Sequence, residues 1–219
     1  AAAGAIKVTV ADTVSNTREI LARIAEADAL CADLLVLPEL CVTGYSCGDL
    51  FFSETLLAGA LRALDEIRAF TAGKRPLVLT GAPIRHRGKL YNCAIAMLNG
   101  RFLAAVPKVN IPNYSEFYEK RQFSSGAGLE PEHIILGGEY VPFGANILLE
   151  CEEMPEFTLG VEICEDLWAP CPPCEGLCLA GASVIANLSA SNELIGKADY
   201  RRLLVGSTSA RLICGYVYQ

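Results

Sequence analysis

Short apolar runs and amphipathic segments follow one another along the chain, which predicts alternating strands and helices. Strict alternation over residues 6–10 is typical of a first strand. Asn16, three residues before Glu19, forms a capping-box pattern that predicts the start of a helix. The continuous apolar run at 33–37 is typical of a strand buried on both faces, and residues 51–70 predict a second helix.

The middle of the chain departs from this alternation. A buried strand is predicted at 77–80, and strands at 90–98 and 101–106 flank Asn99-Gly100, a strong β-hairpin signal. Further strands are predicted at 134–136, 145–149, 157–163, 184–188 and 214–218, and helices near 174–180 and 197–212. The pattern therefore predicts an α/β protein with mixed sheets and helices packed on them.

Composition narrows the classes of function. A chain of 219 residues that is 52% hydrophobic can bury a large core. No apolar run reaches the length of a membrane span, and the first residues do not resemble a signal peptide. The net charge of −7, with scattered basic residues, argues against partners such as nucleic acid or an anionic membrane.

Ten cysteines in a chain of this length favour reduced thiols and a cytoplasmic location. Cys171, Cys174 and Cys178 have a spacing that a metal could use. A closed zinc site needs four ligands, however, and no histidine is near them in sequence. We therefore expect no metal site here, and a proline-rich turn that leads into a helix is the preferred interpretation.

Three predicted strands end in a reactive group. Glu39 follows the run at 33–37, Lys108 follows the strand at 101–106, and Cys164 follows the strand at 157–163. Catalytic groups of α/β proteins gather at the carboxyl ends of strands. These positions therefore predict that a carboxylate, an ammonium and a thiol meet in one site.

Such a set is complete for acyl transfer. Cys164 would attack a carbonyl, Glu39 would take the thiol proton, and Lys108 would lower the thiol pKa and stabilise the oxyanion. The N–H of Glu165 could supply a second oxyanion donor, and neither histidine of the chain lies at a strand end. Taken singly, each residue is better explained as a core thiol, a turn cap or a surface lysine, so the prediction rests on their combination.

Four segments carry a resemblance to a known family: 35–51 around Glu39, 108–123 after Lys108, 160–168 around Cys164, and 187–197. Together they resemble the nitrilase superfamily, the carbon–nitrogen hydrolases with a Glu-Lys-Cys triad. They are more similar still to the glutaminase domain of glutamine-dependent NAD synthetases. The resemblance implies a four-layer α-β-β-α sandwich over residues 1–219, C-terminally truncated, because the last predicted strand ends with the chain.

The resemblance also implies roles for residues. Glu39 is the base, Lys108 the oxyanion stabiliser and Cys164 the nucleophile that forms a thioester, while Glu119 orients the lysine. The residues implied for binding glutamine are Tyr45, Phe117, Glu165, Ser191 and Lys197. At position 197 relatives often carry arginine, whereas a lysine ammonium can pair with a carboxylate but not in a bidentate way.

The partners implied are glutamine, a synthetase domain of the same polypeptide and further copies of the chain. ATP, Mg and deamido-NAD are expected only for that synthetase domain, so no cofactor is expected for these residues. The phosphate-binding loop of such a domain is absent from them, as are a Walker loop and a Gly-x-Gly-x-x-Gly sequence. Two alternatives are a stand-alone amidase or carbamoylase, and an inactive binding module with the same fold.

Overall fold

Two mixed β-sheets form the centre of the fold in the computed structural model, which describes residues 1–219. The strands are β1 (Ala2–Ala3), β2 (Leu34–Val36), β3 (Leu77–His86), β4 (Lys89–Leu98), β5 (Arg101–Pro107), β6 (Glu132–Leu136), β7 (Glu139–Phe143), β8 (Leu148–Cys151), β9 (Met154–Ile163), β10 (Val184–Leu188) and β11 (Gly215–Tyr218). The helices are α1 (Thr13–Ala29), α2 (Glu54–Phe70), α3 (Glu119–Gln122), α4 (Pro173–Leu179) and α5 (Lys197–Leu212), with 3₁₀ turns at Tyr45–Phe52 and Cys164–Trp168.

The first sheet has the strand order β1-β2-β3-β4-β5-β7-β6, and the second has the order β11-β10-β9-β8. β2 is parallel to β3, and two successive antiparallel pairings give β5 the same direction. The carboxyl ends of β2 and β5 therefore lie at the same edge of the first sheet. In the second sheet β9 runs parallel to β10, and β10 runs parallel to β11.

Three apolar clusters separate four layers. α1 and α2 pack on the outer face of the first sheet, where Ile24 and Leu64 share a cluster with Val78. Side chains of both sheets, such as Val36 and Val161, fill the space between them. α4 packs on the outer face of the second sheet. This arrangement confirms the four-layer α-β-β-α sandwich, and none of its helices combines the length and the apolar character needed to cross a membrane.

The predicted first strand and helix start were wrong. Residues 6–10 are irregular, and Val8 and Val10 are 38% and 51% exposed; the first strand is β1, which pairs with β2. Asp12 rather than Asn16 caps α1, because its carboxylate accepts the N–H of Ser15. Asn16 instead lies buried in the helix, and its amide binds backbone groups of the irregular segment before it.

The hairpin at Asn99-Gly100 is confirmed, with φ of 46° and 78°, the left-handed pair that a tight hairpin turn requires. α2 begins three residues later than predicted, because Tyr45–Phe52 forms a separate 3₁₀ segment broken at Gly48. The strand β7 was not predicted, since it contains Pro142 and only two of its residues are buried.

Close packing behind Glu39 generates a prediction about stability. A Cβ at Gly81 of β3 would lie 2.2 Å from the backbone nitrogen of Leu40, so Gly81→Ala must displace the turn that carries Glu39. We expect the free energy of unfolding to fall by about 1–3 kcal/mol. Gly206→Ala is the control, since a Cβ there meets nothing within 4 Å on an exposed face of α5. Urea titrations that rank the two variants equal would contradict this account.

Candidate active site

The ammonium of Lys108, directly after β5, is completely buried between two carboxylates. Its Nζ lies 2.6 Å from Glu39 Oε1 and 2.6 Å from Glu119 Oε1. A buried charge without partners would cost several kcal/mol, so these two acids are what allows a lysine at this position. The three residues come from the ends of two strands and from the start of α3.

Glu39 is held from several directions. The carboxamide of Asn92, on β4, donates to its Oε1 at 2.7 Å, and the N–H of Ala190 donates to its Oε2 at 3.1 Å. Its own N–H donates to the carbonyl of Ser189 at 3.3 Å. Because Ser189 and Ala190 follow β10, these bonds join the carboxylate of the first sheet to the second sheet.

Glu119 has a further donor in Tyr45, whose hydroxyl lies 2.7 Å from Oε1. The Asn92 amide also reaches Glu119 Oε2, at 3.5 Å. Tyr45 was predicted to bind substrate; in the structure its hydroxyl instead contacts the acid that holds Lys108. Tyr45 is not among the residues that line the cavity described below.

Cys164 immediately follows β9 and has a φ of 47°, in the left-handed region that a side chain rarely occupies. Its N–H donates to Asn187 Oδ1 at 3.0 Å. Such backbone strain persists only where the surrounding structure holds it, and it is common at functional sites. The residue is 8% exposed, and it lines a cavity.

That cavity has a volume of about 200 Å³ and contains Cys164 in its wall. Four of the five predicted substrate-binding residues line it: Phe117, Glu165, Ser191 and Lys197. It also has lining residues that were not predicted: Tyr114, Ser115, Glu116, Trp168, Asn192 and Leu194. The signal for these was present, because each lies within the segments that carry the family resemblance.

The cavity wall carries both signs of charge. Lys197 Nζ lies 5.1 Å from the centre of the Trp168 ring and also binds Asn192, whose amide contacts Glu116. Glu165, which also lines the cavity, accepts the hydroxyl of Tyr114 at its Oε1, at 2.8 Å. A small molecule with one ammonium and one carboxylate would find a partner for each.

Burial controls proton affinities in this site. Burial and the neighbouring Glu39 carboxylate raise the pKa of the Cys164 thiol to about 12, while Lys108 acts in the opposite direction. Burial alone would lower the pKa of Lys108, but Glu39 and the other nearby anions outweigh it and raise that pKa. The resting cysteine is therefore a thiol and needs a base, and the lysine stays charged.

Glu39 and Glu119 lie beside the same cation, Lys108, and repel each other, which affects the pKa of Glu119. Burial and the repulsion from Glu39 raise the pKa of Glu119 from 4.5 to about 7, against the opposing effect of Lys108. One lysine cannot neutralise two buried carboxylates, so the pair holds a proton more readily than either acid would alone.

Three supporting residues were missed at the sequence level: Asn92, Asp166 and Asn187. Asp166 accepts the N–H groups of Ile163 at 3.0 Å and Asn110 at 2.6 Å, which ties the loop after Lys108 to the turn that carries Cys164. Burial raises the pKa of Asp166 to about 6. A polar residue within an otherwise apolar strand, as at Asn92 and Asn187, was the available signal.

All ten cysteines are unpaired in the structure, including Cys171, Cys174 and Cys178. Cys174 is buried in α4, whereas Cys171 is exposed before it. No group of three or more histidine, cysteine, aspartate or glutamate side chains is placed to hold a metal ion. At this segment the structure contains a turn with Pro172 that leads into α4, which begins at Pro173.

The α-β-β-α sandwich, with a cysteine at a strand end near a buried lysine and two glutamates, defines a hydrolase of the nitrilase fold. A model of the carbon-nitrogen hydrolase family matches residues 1–211, and the chain belongs to that family. The catalytic roles of Glu39, Lys108, Cys164 and Glu119 stay predictions.

Two groups of known proteins resemble the chain. It is 43% identical over 212 residues to a glutamine-dependent NAD(+) synthetase of Mycobacterium tuberculosis, covering 96% of the chain and 31% of the relative. A crystal structure of a glutamine-dependent NAD(+) synthetase from Cytophaga hutchinsonii matches with a TM-score of 0.87 and 32% identity, covering 99% of the chain and 34% of that structure. An amidase of the nitrilase superfamily from Nesterenkonia shares the fold, with a TM-score of 0.76 and 17% identity, covering 99% of the chain and 74% of the amidase. The chain thus spans about a third of the length of the synthetases it matches.

The raised pKa of Glu119 predicts a pH dependence of stability. Between pH 4.5 and about 7 the folded protein binds more protons at this group than the unfolded chain does. Its contribution to the free energy of unfolding therefore falls as the pH rises through that window. Urea titrations at several pH values should therefore show that the free energy of unfolding decreases less between pH 4.5 and about 7 in Glu119→Gln than in the wild type. The exposed-residue control Glu153→Gln should keep the wild-type decrease; equal decreases in all three proteins would contradict the assignment.

Proposed function

We propose that this chain is a glutamine amidohydrolase domain, which releases ammonia from the side-chain amide of glutamine through a thioester at Cys164. The observation that carries the proposal is the position of Cys164 in the wall of a small cavity of mixed charge, close enough to Glu39 and to the buried Lys108 that both shift the pKa of its thiol. The similarity to glutamine-dependent NAD synthetases supports glutamine as the amide.

In the first half of the proposed reaction, the Cys164 sulfur attacks the amide carbon while Glu39 takes the thiol proton. The oxygen of the tetrahedral intermediate gains a negative charge, which the Lys108 ammonium and the N–H of Glu165 stabilise. The carbon–nitrogen bond then breaks, and ammonia leaves with the proton that Glu39 held. Glu119 keeps the lysine in place and prevents it from forming an exclusive pair with Glu39.

The second half removes the acyl group. Glu39 takes a proton from a water molecule, which attacks the thioester carbon, and the same lysine stabilises the second oxyanion. When the carbon–sulfur bond breaks, the thiol recovers its proton from Glu39 and glutamate is released. The raised pKa of the thiol supports this sequence, because a protonated sulfur needs the base in the first step and is regenerated in the last.

The cavity suggests how glutamine is bound. Lys197, held against Trp168, is the cation available to the α-carboxylate, and Glu165 and Glu116 are the acids available to the α-ammonium. Phe117 and Ser191 would line the path of the side chain toward Cys164. A lysine offers a single-point contact where a guanidinium would offer two parallel bonds.

The proposal extends to the protein to which these residues belong. By similarity to the synthetases, the ammonia would be used to amidate deamido-NAD at a synthetase domain of the same polypeptide, which would bind ATP and Mg. We also propose a cytoplasmic location and association of several copies. What supports the first point is that the matched relatives are named glutamine-dependent NAD(+) synthetases and extend well beyond the aligned region.

Removal of the nucleophile gives the direct test of the reaction. Cys164→Ala should abolish ammonia release from glutamine, because no other group can form the thioester. Cys171→Ala is the matched control, since that cysteine is exposed and close in sequence, and it should keep full activity. Coupled ammonia assays on the full-length protein would decide, and unchanged turnover in Cys164→Ala would refute the proposal.

A substrate comparison tests the choice of glutamine. Lys197→Met should raise the KM for glutamine by roughly tenfold or more, because a charge-assisted contact with the carboxylate is lost. The turnover of butyramide, which has no carboxylate, should be unaffected by this change. The exposed lysine Lys120 gives the control variant Lys120→Met. A wild-type preference for butyramide over glutamine would instead indicate a stand-alone amidase.

A further inference from the structure

A second buried acid lies behind the nucleophile and has no part in the proposed reaction. Glu162, on β9 two residues before Cys164, is only 1% exposed. Its neighbours Val161 and Ile163 point between the sheets, so its side chain lies on the outer face of the second sheet, toward α4. Its hydrogen-bond partners carry no charge.

Those partners surround the carboxylate. The N–H of Cys174 donates to Oε2 at 2.9 Å, the amide of Asn187 donates to Oε1 at 3.3 Å, and the hydroxyl of Tyr216 also donates to Oε1. Burial raises the pKa of this group. An acid without a cation is costly in a layer otherwise filled by apolar side chains, where an apolar residue would carry no such penalty.

The Asn187 amide turns its nitrogen toward this carboxylate. Asn187 is the cross-strand partner of Glu162 on β10, and its Nδ2 donates to Glu162 and to the Tyr216 hydroxyl. With the nitrogen fixed on that side, Oδ1 faces the N–H of Cys164 at 3.0 Å and the hydroxyl of Ser189 at 2.8 Å. A rotated amide would place a donor against both of these donors.

The side-chain oxygen of Asn187 therefore connects two parts of the site. It holds the peptide of Cys164, whose φ is in the left-handed region, and it also holds Ser189. The next residue, Ala190, donates its N–H to the carboxylate of Glu39. One carboxamide thus fixes the backbone of the nucleophile and the segment that contacts the base.

We propose that Glu162 is a positioning residue for the nucleophile: its carboxylate orients the Asn187 amide, which sets the place of the Cys164 sulfur relative to Glu39 and Lys108. This role rests on the proposed function only in taking Cys164 as the nucleophile. Glu162 does not line the substrate cavity, so its effect should be on turnover and thiol reactivity rather than on substrate binding.

The test uses exchanged amide and acid groups in the full-length protein. Glu162→Gln replaces one acceptor oxygen by an NH2 group, which must face either the Asn187 NH2 or the Cys174 N–H, both of them donors. Asn187→Asp places a second acid against Glu162. Each single variant should lower kcat for glutamine by roughly tenfold to a hundredfold, the range expected when a reacting group moves by up to about 1 Å, with KM within about twofold of wild type. The double variant restores one donor facing one acceptor and should recover much of the loss.

A second readout does not depend on glutamine. The rate at which iodoacetamide alkylates Cys164, followed by mass spectrometry of its peptide, should fall in the single variants and recover in the double variant. If the wild type is alkylated at Cys164 but releases no ammonia, the glutaminase proposal fails. The alkylation rates still test the positioning role of Glu162 in that case. Glu132→Gln is the control, because that acid binds His86 on the first sheet, away from Cys164.

Tyr216→Phe is a milder change, because Glu162 keeps its other two hydrogen-bond donors. We therefore expect smaller losses of kcat and of the alkylation rate in this variant. It serves as the test if the exchange variants do not fold. Folded variants whose kcat and alkylation rate stay within twofold of wild type would overturn the proposal. The proposal would also be overturned if the fold-loss of kcat in the double variant equalled the product of the fold-losses in the two single variants. Independent losses of this kind indicate disturbed packing rather than a shared orientation.

Discussion

The pairing of one buried ammonium with two carboxylates is the interaction on which the site depends. Lys108 can lie inside the protein only because Glu39 and Glu119 lie 2.6 Å from its nitrogen. The two strands that deliver Glu39 and Lys108 end at the same edge of the first sheet, and the start of α3 closes the group. Burial and the neighbouring Glu39 carboxylate also raise the pKa of Glu119 to about 7, because the one cation does not offset both.

The thiol side of the site is built by the second sheet and depends on hydrogen bonds among backbone, amide and carboxylate groups rather than on ion pairs. Cys164 keeps a left-handed backbone at the end of β9, and the carboxamide of Asn187 holds its N–H. Asp166 ties the same turn to the loop after Lys108 through backbone donors. Each sheet thus supplies one half of the chemistry.

The sequence was informative where a signal is local. A short apolar run that ends in a polar residue identified Glu39, Lys108 and Cys164, and the hairpin followed from Asn99-Gly100. It was uninformative where the partner is distant, as for Asn92, whose contact with Glu39 spans 53 positions. Alternation misplaced the first strand for a related reason, because residues 6–10 alternate in an exposed segment that no strand pairs with.

The division of the site between two sheets has a mechanical consequence. Side-chain packing and a few hydrogen bonds keep the sheets in alignment, among them the one from the Glu39 N–H to the Ser189 carbonyl and the one from the Ala190 N–H to the Glu39 carboxylate. A slide of one sheet over the other by a fraction of a residue would separate sulfur from base while leaving every helix and strand intact. Mild denaturant should therefore abolish activity before circular dichroism detects any loss of secondary structure. The contact between the two sheets is the part of the molecule that engineering for stability should strengthen.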